Sequence, residues 1–369
     1  MMGPLRLGLV CVLAIAVFAC SDDGGEVPAT DTAMVSGDDD STSSSDAAES
    51  TETSEATSDA VSTGPESDDT GSEPDLEVAD EADTAAVPDD FAWPEPTYGL
   101  STQTVMHDGL TREYLLYVPA SYTGAVAVPV VLSFHGGAMN ASAMMEWTSD
   151  MRQLSEDEGF ILVYPEGSLL ESGDGHWNPI PPSADSKSDT DDFGFVAVML
   201  DAMAEGHHID ATRVYATGYS NGAGMAYGLL CYLSDRIAAA APVSGSMYFE
   251  MSEGCEATHP TAVVVFNGTE DEARPYAGMP PWFMPVEDAV DFWVTHNGIT
   301  SAAAIESFNT NGVTVERRVF SGEGGGSDVA LFKVIGGGHD WFDIDVEGAD
   351  LDRLIWDFLS AHDLYGAID

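Results

Sequence analysis

The stretch Arg213-Val214-Tyr215-Ala216-Thr217-Gly218-Tyr219-Ser220-Asn221-Gly222-Ala223-Gly224-Met225 decides how the chain is read. An alternating apolar segment runs into a Gly-x-Ser-x-Gly pentapeptide and then into small residues at helical spacing, which is the order of a strand, a sharp turn and a helix. Ser220 stands at the tip of that turn. Its backbone is strained there, and side chains at positions 218 and 222 would collide with the neighbouring strand and helix, so both positions call for glycine. Gly218 and Gly222 meet that demand. Glycine and serine are common, so the pentapeptide gains meaning only if an acid, a base and oxyanion donors follow in the order such a turn requires.

Short apolar runs at 112–119, 129–134, 160–164, 213–217, 237–243, 262–266 and 331–335 read as strands, several of them buried on both faces. Between them, 144–158, 192–205, 222–233, 286–296 and 350–362 carry helical spacing. In the last, Leu351, Leu354, Ile355 and Phe358 share one face. This alternation predicts an α/β architecture, a mainly parallel doubly wound sheet with helices on both faces. Catalytic groups in such a sheet gather at the carboxyl ends of its strands. Aromatic residues begin at Phe91, and residues 91–369 read as one catalytic domain.

Three loops at such strand ends carry chemistry. His135-Gly136-Gly137-Ala138 follows the strand ending at Phe134 and can present backbone amides closely. Gly137 is the candidate oxyanion donor, Ala138 the alternative, and the amide of Asn221 the second donor. His135 stands beside that loop and before Ser220 in the chain, which makes it structural rather than the base. Asn267-Gly268-Thr269-Glu270-Asp271 supplies Asp271 as the carboxylate that fixes the tautomer of the base, although Glu270 and Glu272 also allow a plain solvated acidic turn. Gly336-Gly337-Gly338-His339 follows the last strand and offers His339 as general base between Ser220 and Asp271. The order Ser220, Asp271, His339 is that of the α/β-hydrolase fold and differs from the chymotrypsin and subtilisin orders. His207, His208 and His296 show no metal-ligand spacing, and neither metal nor cofactor is expected. Two irregular segments, 168–191 with Trp177 and 275–285 with Trp282, are too Pro-rich for helices and apolar enough to line an acyl site or to pack as a lid. Trp341, just past His339, is a third candidate for the pocket.

The chain has 369 residues and a formal net charge of -53, with no Lys or Arg between Arg6 and Arg112. Such acidity repels phosphate backbones, which argues against nucleic acid as a partner, and it weakens the approach of polyanions. Arg6 precedes an apolar run over 7–19 that is too short to span a bilayer comfortably, which is signal-peptide geometry. Val17-Phe18-Ala19-Cys20 resembles a bacterial lipobox, predicting a signal peptide over 1–19 and lipidation at Cys20 as the membrane anchor. An ordinary cleaved signal is the alternative. Residues 20–90 are dominated by Ser, Thr, Asp, Glu, Ala and Gly without one aromatic side chain, and read as a disordered, self-repelling tether. As a flexible chain it would reach on the order of 45 Å. No acidic spacing in it matches a calcium loop. With Cys11 in the signal and Cys20 lipidated, Cys231 and Cys255 remain as a candidate disulfide of an oxidising compartment, two reduced core cysteines being the alternative.

Tyr117-Val118-Pro119, the His-Gly-Gly loop, Tyr164-Pro165-Glu166-Gly167, the pentapeptide around Ser220, Ala241-Pro242-Val243-Ser244-Gly245, Gly268-Thr269-x-Asp271 and Gly336-Gly337-Gly338-His339 together resemble the polyhydroxybutyrate depolymerase and feruloyl-esterase-like family of secreted α/β-hydrolases. The resemblance covers most of residues 112–369. It implies a serine carboxylic-ester hydrolase acting through an acyl-enzyme on a polymer-derived ester, with Ser220, Asp271 and His339 as the triad and a disulfide between Cys231 and Cys255. After the histidine the family commonly has Thr-Trp-Pro-Gly, whereas this chain has Asp340-Trp341-Phe342-Asp343. A non-catalytic polymer-binding module and a serine peptidase on the same scaffold are the competing readings. Covalent labelling of Ser220 by a fluorophosphonate separates the first of these from an enzyme.

Overall fold

A computed structural model describes residues 93–181 and 187–368. The expected signal segment, Cys20 and the acidic tether lie outside the described residues. Ten strands form one sheet: β1 (Gly99–His107), β2 (Leu110–Val118), β3 (Val128–Phe134), β4 (Ile161–Pro165), β5 (Ile209–Tyr219), β6 (Ala239–Val243), β7 (Ala262–Gly268), β8 (Ala304–Thr310), β9 (Val313–Phe320) and β10 (Val329–Ile335). Their spatial order is β1-β2-β4-β3-β5-β6-β7-β10-β9-β8. The stretch from β4 to β10 in that order is parallel throughout. An antiparallel hairpin extends each edge.

The helices are α1 (Arg152–Glu158), α2 (Asp192–Gly206), α3 (Asn221–Tyr232), α4 (Val286–His296) and α5 (Leu351–Leu359). Because strand side chains alternate, the sheet feeds two cores. Val130, Leu132 and Phe134 of β3 pack with residues of α2, α3 and α4, whereas Val131 packs with Met144, Met151 and residues of α5. Helices therefore cover both faces, as the alternation of elements predicts. Truncating a fully buried member such as Leu132 to alanine should cost about 2–5 kcal/mol. Cys231, near the end of α3, is joined to Cys255 by a disulfide.

Three expectations change. The sequence reading takes in β2 and β10 but not β1, β8 and β9, whose alternating or mostly exposed positions give little apolar signal. Their turns carried the information: Asp108-Gly109 and Asn311-Gly312 each place two successive residues at positive φ, 49° and 75° in one and 45° and 87° in the other, which is the backbone a two-residue hairpin favours. The expected helix over 144–158 is broken at Ser149, which is extended at φ -142° and ψ 98°. Tertiary bonds take over there: Tyr164 Oη donates to the Ser149 carbonyl at 2.7 Å, Met151 N–H donates to the same hydroxyl at 3.2 Å, and Ser149 Oγ donates to Asp352 at 2.9 Å. The last helix begins after Asp350, whose carboxylate caps it by accepting from Arg353 N–H, and ends at Leu359 rather than at 362.

Candidate active site

Ser220 closes β5 and opens α3 at φ 56° and ψ -110°, a conformation that costs a non-glycine residue on the order of 1–3 kcal/mol and persists only where the surroundings impose it. The surroundings do so by close backbone approach. A Cβ on Gly218 would stand 2.5 Å from the Gly222 carbonyl, and one on Gly222 would stand 2.2 Å from the Phe134 carbonyl oxygen. Strand and helix thus cross with room for hydrogen alone. Ser220 N–H donates to the Val243 carbonyl at 3.0 Å, tying the turn to the end of β6.

The loop after β10 brings His339 over this serine. Its Nε2 lies 2.8 Å from Ser220 Oγ, and its Nδ1 lies 2.7 Å from Asp271 Oδ2. The Asp271 side chain is fully buried, and its Oδ1 accepts from the amides of Ala273 at 2.8 Å and Arg274 at 2.7 Å. With Nδ1–H pointing at the carboxylate, Nε2 is the lone pair left to receive the serine proton. The three candidates named from sequence therefore meet in one hydrogen-bonded row, each carried by a loop at a strand's carboxyl end.

Two hydroxyls that sequence reasoning passes over hold the histidine loop. Tyr219 Oη donates to the His339 carbonyl at 2.6 Å, and Ser244 Oγ donates to the Asp340 carbonyl at 2.6 Å. Their partners lie 120 and 96 residues away in the chain, so no local pattern marks them.

The candidate oxyanion loop is sorted by its own bonds. Ala138 N–H donates to the Gly175 carbonyl at 2.8 Å and is committed. Among the described residues the Gly137 amide has no such acceptor, and a Cβ on Gly137 would stand 3.7 Å from Asn221 Cβ. Asn221 begins α3, where backbone N–H groups lack helical acceptors and the dipole favours negative charge. The two candidate donors are thus neighbours. His135 lies beneath, fully buried. Its Nε2 accepts from Gly167 N–H at 2.9 Å and its Nδ1–H donates to the Gly136 carbonyl at 2.8 Å, and burial pushes its pKa down to about 4. It is a neutral strut of the loop.

A cavity of about 540 Å³ opens over Ser220, Gly137 and Asn221. Both irregular segments contribute to its wall, with Leu170 and Ile180 from one and Trp282 and Phe283 from the other. Trp282 is 59% exposed and available to a ligand. Trp177 also borders the cavity, but it is 1% exposed, sits edge-on to Phe134 and donates its indole N–H to the His135 carbonyl at 3.0 Å. It is a wall anchor more than a contact surface. Trp341 is not part of the lining: its indole N–H donates to Asp352 at 3.1 Å on the other side of the sheet. Away from the cavity, His107, Asp108 and Asp191 bring ligand atoms within 4.8 Å of one another, the one such group among the described residues able to hold a cation.

Residues 112–286 match the family model described as "Esterase PHB depolymerase". The chain is 28% identical over 263 residues to Feruloyl esterase B of Piromyces equi, covering 69% of this chain and 46% of that protein. It is 30% identical over 120 residues to Poly(3-hydroxyalkanoate) depolymerase C of Paucimonas lemoignei, covering 32% of this chain and 28% of that one. The match thus spans less than half the length of either relative. Among solved structures, the acetyl xylan esterase from Aspergillus awamori superposes with a TM-score of 0.53 at 16% identity, over 70% of this chain and 99% of that one. At that identity the likeness establishes the fold, which is the α/β-hydrolase fold, and no more.

Proposed function

We propose that this chain, whose residues 112–286 match the PHB depolymerase esterase model, is a carboxylic ester hydrolase, and specifically a serine esterase in which Ser220 is the nucleophile, His339 the general base and Asp271 the orienting acid. The observation that carries the reading is the row from Ser220 Oγ through His339 to Asp271, at 2.8 and 2.7 Å. His339 Nε2 takes the serine proton as Oγ attacks the ester carbonyl carbon. The carbonyl oxygen gains charge and is held by the amides of Gly137 and Asn221. The tetrahedral intermediate collapses, His339 returns the proton to the departing alcohol, and an acyl-serine remains. Water then attacks the acyl carbon, with the same imidazole taking its proton, and the carboxylic acid leaves.

The names of the relatives point to a feruloyl ester or a hydroxyalkanoate ester, and a polymer-derived ester is the substrate class we propose. The enzyme is proposed to work outside the cytoplasm, anchored by lipid on Cys20 and spaced by residues 20–90, and the disulfide suits an oxidising compartment. Among the described residues no helix is long and apolar enough to cross a membrane. The test is Ser220→Ala assayed on a short 4-nitrophenyl ester, where turnover should fall by about 1,000-fold or more. A fluorophosphonate should label the parent on Ser220. Undiminished turnover in the variant would overturn the assignment.

A further inference from the structure

In a chain with 64 acidic residues against 11 basic ones, a cation without a carboxylate partner is unusual. Apart from Arg6, all the basic residues are described, and among the described residues every one of them except two sits in an ion pair with Asp or Glu. The exceptions are Lys187 and Arg274. Both line the cavity over Ser220.

Arg274 belongs to the turn that carries the acid: its backbone N–H donates to Asp271 Oδ1 at 2.7 Å. Its guanidinium lies over the Phe283 ring, 4.6 Å from the centroid, and Nη1 donates to the Ala273 carbonyl at 3.0 Å. A guanidinium has five N–H donors, so most of this one is uncommitted among the described residues while the group itself is partly buried and fixed by stacking. Lys187 is exposed at the opening. Asp174 is the single carboxylate among the described residues of the lining, so there the two cations outnumber it within a strongly negative chain. Partial burial of an unpaired guanidinium costs free energy that a bound anion would offset, and a stacked, planar donor fork matches a carboxylate better than it matches any neutral group.

We infer that the cavity selects esters bearing a carboxylate, with Arg274 as its hydrogen-bonding partner and Lys187 as a second charge at the mouth. This deepens the esterase reading and rests on it. The acidic remainder of the surface disfavours polyanions, so the substrate class is a small or oligomeric ester with one carboxylate near the scissile bond.

Two substrate pairs test this, each matching a carboxylate with a carboxamide of the same shape: 4-acetoxybenzoate against 4-acetoxybenzamide, with the charge on the alcohol side, and the 4-nitrophenyl monoesters of suberic acid and of its monoamide, with the charge on the acyl side. The parent should favour the carboxylate member of at least one pair by about tenfold in kcat/KM at low salt, and the preference should shrink with added sodium chloride. Arg274→Gln should bring the ratio to about one, Arg274→Lys should keep part of it, and Lys187→Gln, an exposed change that leaves packing alone, should lower it partway. A parent that favours the carboxylate in neither pair, or a ratio unmoved in both glutamine variants, overturns the inference while leaving the esterase intact. No turnover of either member, with Ser220→Ala indistinguishable from the parent, would be failure of the esterase reading itself.

Discussion

Asn221 and Trp177 hold each other in both directions: Trp177 N–H donates to Asn221 Oδ1 at 2.8 Å, and Asn221 Nδ2 donates to the Trp177 carbonyl at 3.2 Å. The residue after Ser220 therefore serves the site twice. Its amide is the proposed oxyanion donor, and its side chain clamps the cavity wall to the first turn of α3. Asn221→Ala keeps the backbone donor and releases the wall. Misplacement of a reacting centre by a fraction of an ångström is expensive, so kcat should fall about 10- to 100-fold, with KM rising as the wall near Trp177 loosens. Steady-state kinetics on a 4-nitrophenyl ester checks this, and parent-like values for both constants would rule the clamp out.

Gly222 and Gly206 make a matched pair for the backbone crossing. A Cβ at 222 meets the carbonyl oxygens of Phe134 and His135 at 2.2 and 2.6 Å, whereas one at 206 meets nothing within 4 Å. Gly222→Ala should force α3 off β3 and cost about 4 kcal/mol or more. Gly206→Ala should be neutral or stabilise by roughly 0.5 kcal/mol through the unfolded chain. Urea unfolding of the two variants gives the comparison, and equal midpoints would contradict it.

That crossing also explains what the sequence made legible. Gly218 and Gly222 around Ser220, and Gly268 ahead of Asp271, are demanded by backbone contact, so they stand in short fixed patterns, and the glycine-rich turn before His339 marks the strand end from which that side chain reaches Ser220. The parallel strands are legible for a similar reason, since burial on both faces makes them continuously apolar. The hairpin strands β1, β8 and β9 are half solvated and leave no such run, though Asp108-Gly109 and Asn311-Gly312 mark their turns. The break at Ser149 is invisible because its cause is Tyr164 and Asp352, brought there by tertiary folding. Trp341 follows His339 in sequence yet turns to Asp352, which adjacency alone could not reveal.

Tyr219 is the contact most readily tested among those the sequence conceals. Its hydroxyl holds the His339 carbonyl at 2.6 Å and its ring lies 5.1 Å from the imidazole. Tyr219→Phe keeps the ring and removes the bond, a loss of about 1 kcal/mol. If the bond sets the height of the imidazole over Ser220, kcat should drop about fivefold with KM little changed. An unchanged kcat would mean that the loop is held without it.

His135 makes the stability of the fold around the proposed oxyanion loop depend on pH in a direction that can be worked out. Burial lowers its pKa from the ordinary 6.5 to about 4. Above 6.5 it is neutral in folded and unfolded chains alike, and its bonds to Gly136 and Gly167 are fully present. Between 6.5 and 4 the unfolded chain binds a proton that the folded chain refuses, so stability falls as pH falls through that window. Descending from pH 7 to pH 4.5 should remove about 2–3 kcal/mol through this one group, at 1.36 kcal/mol per pH unit. His135→Gln cannot titrate, so it should be less stable than the parent at pH 7 and close most of that gap by pH 4.5. Urea midpoints of both proteins across the range measure the gap, and a difference that stays constant with pH would show that His135 is not the group that titrates.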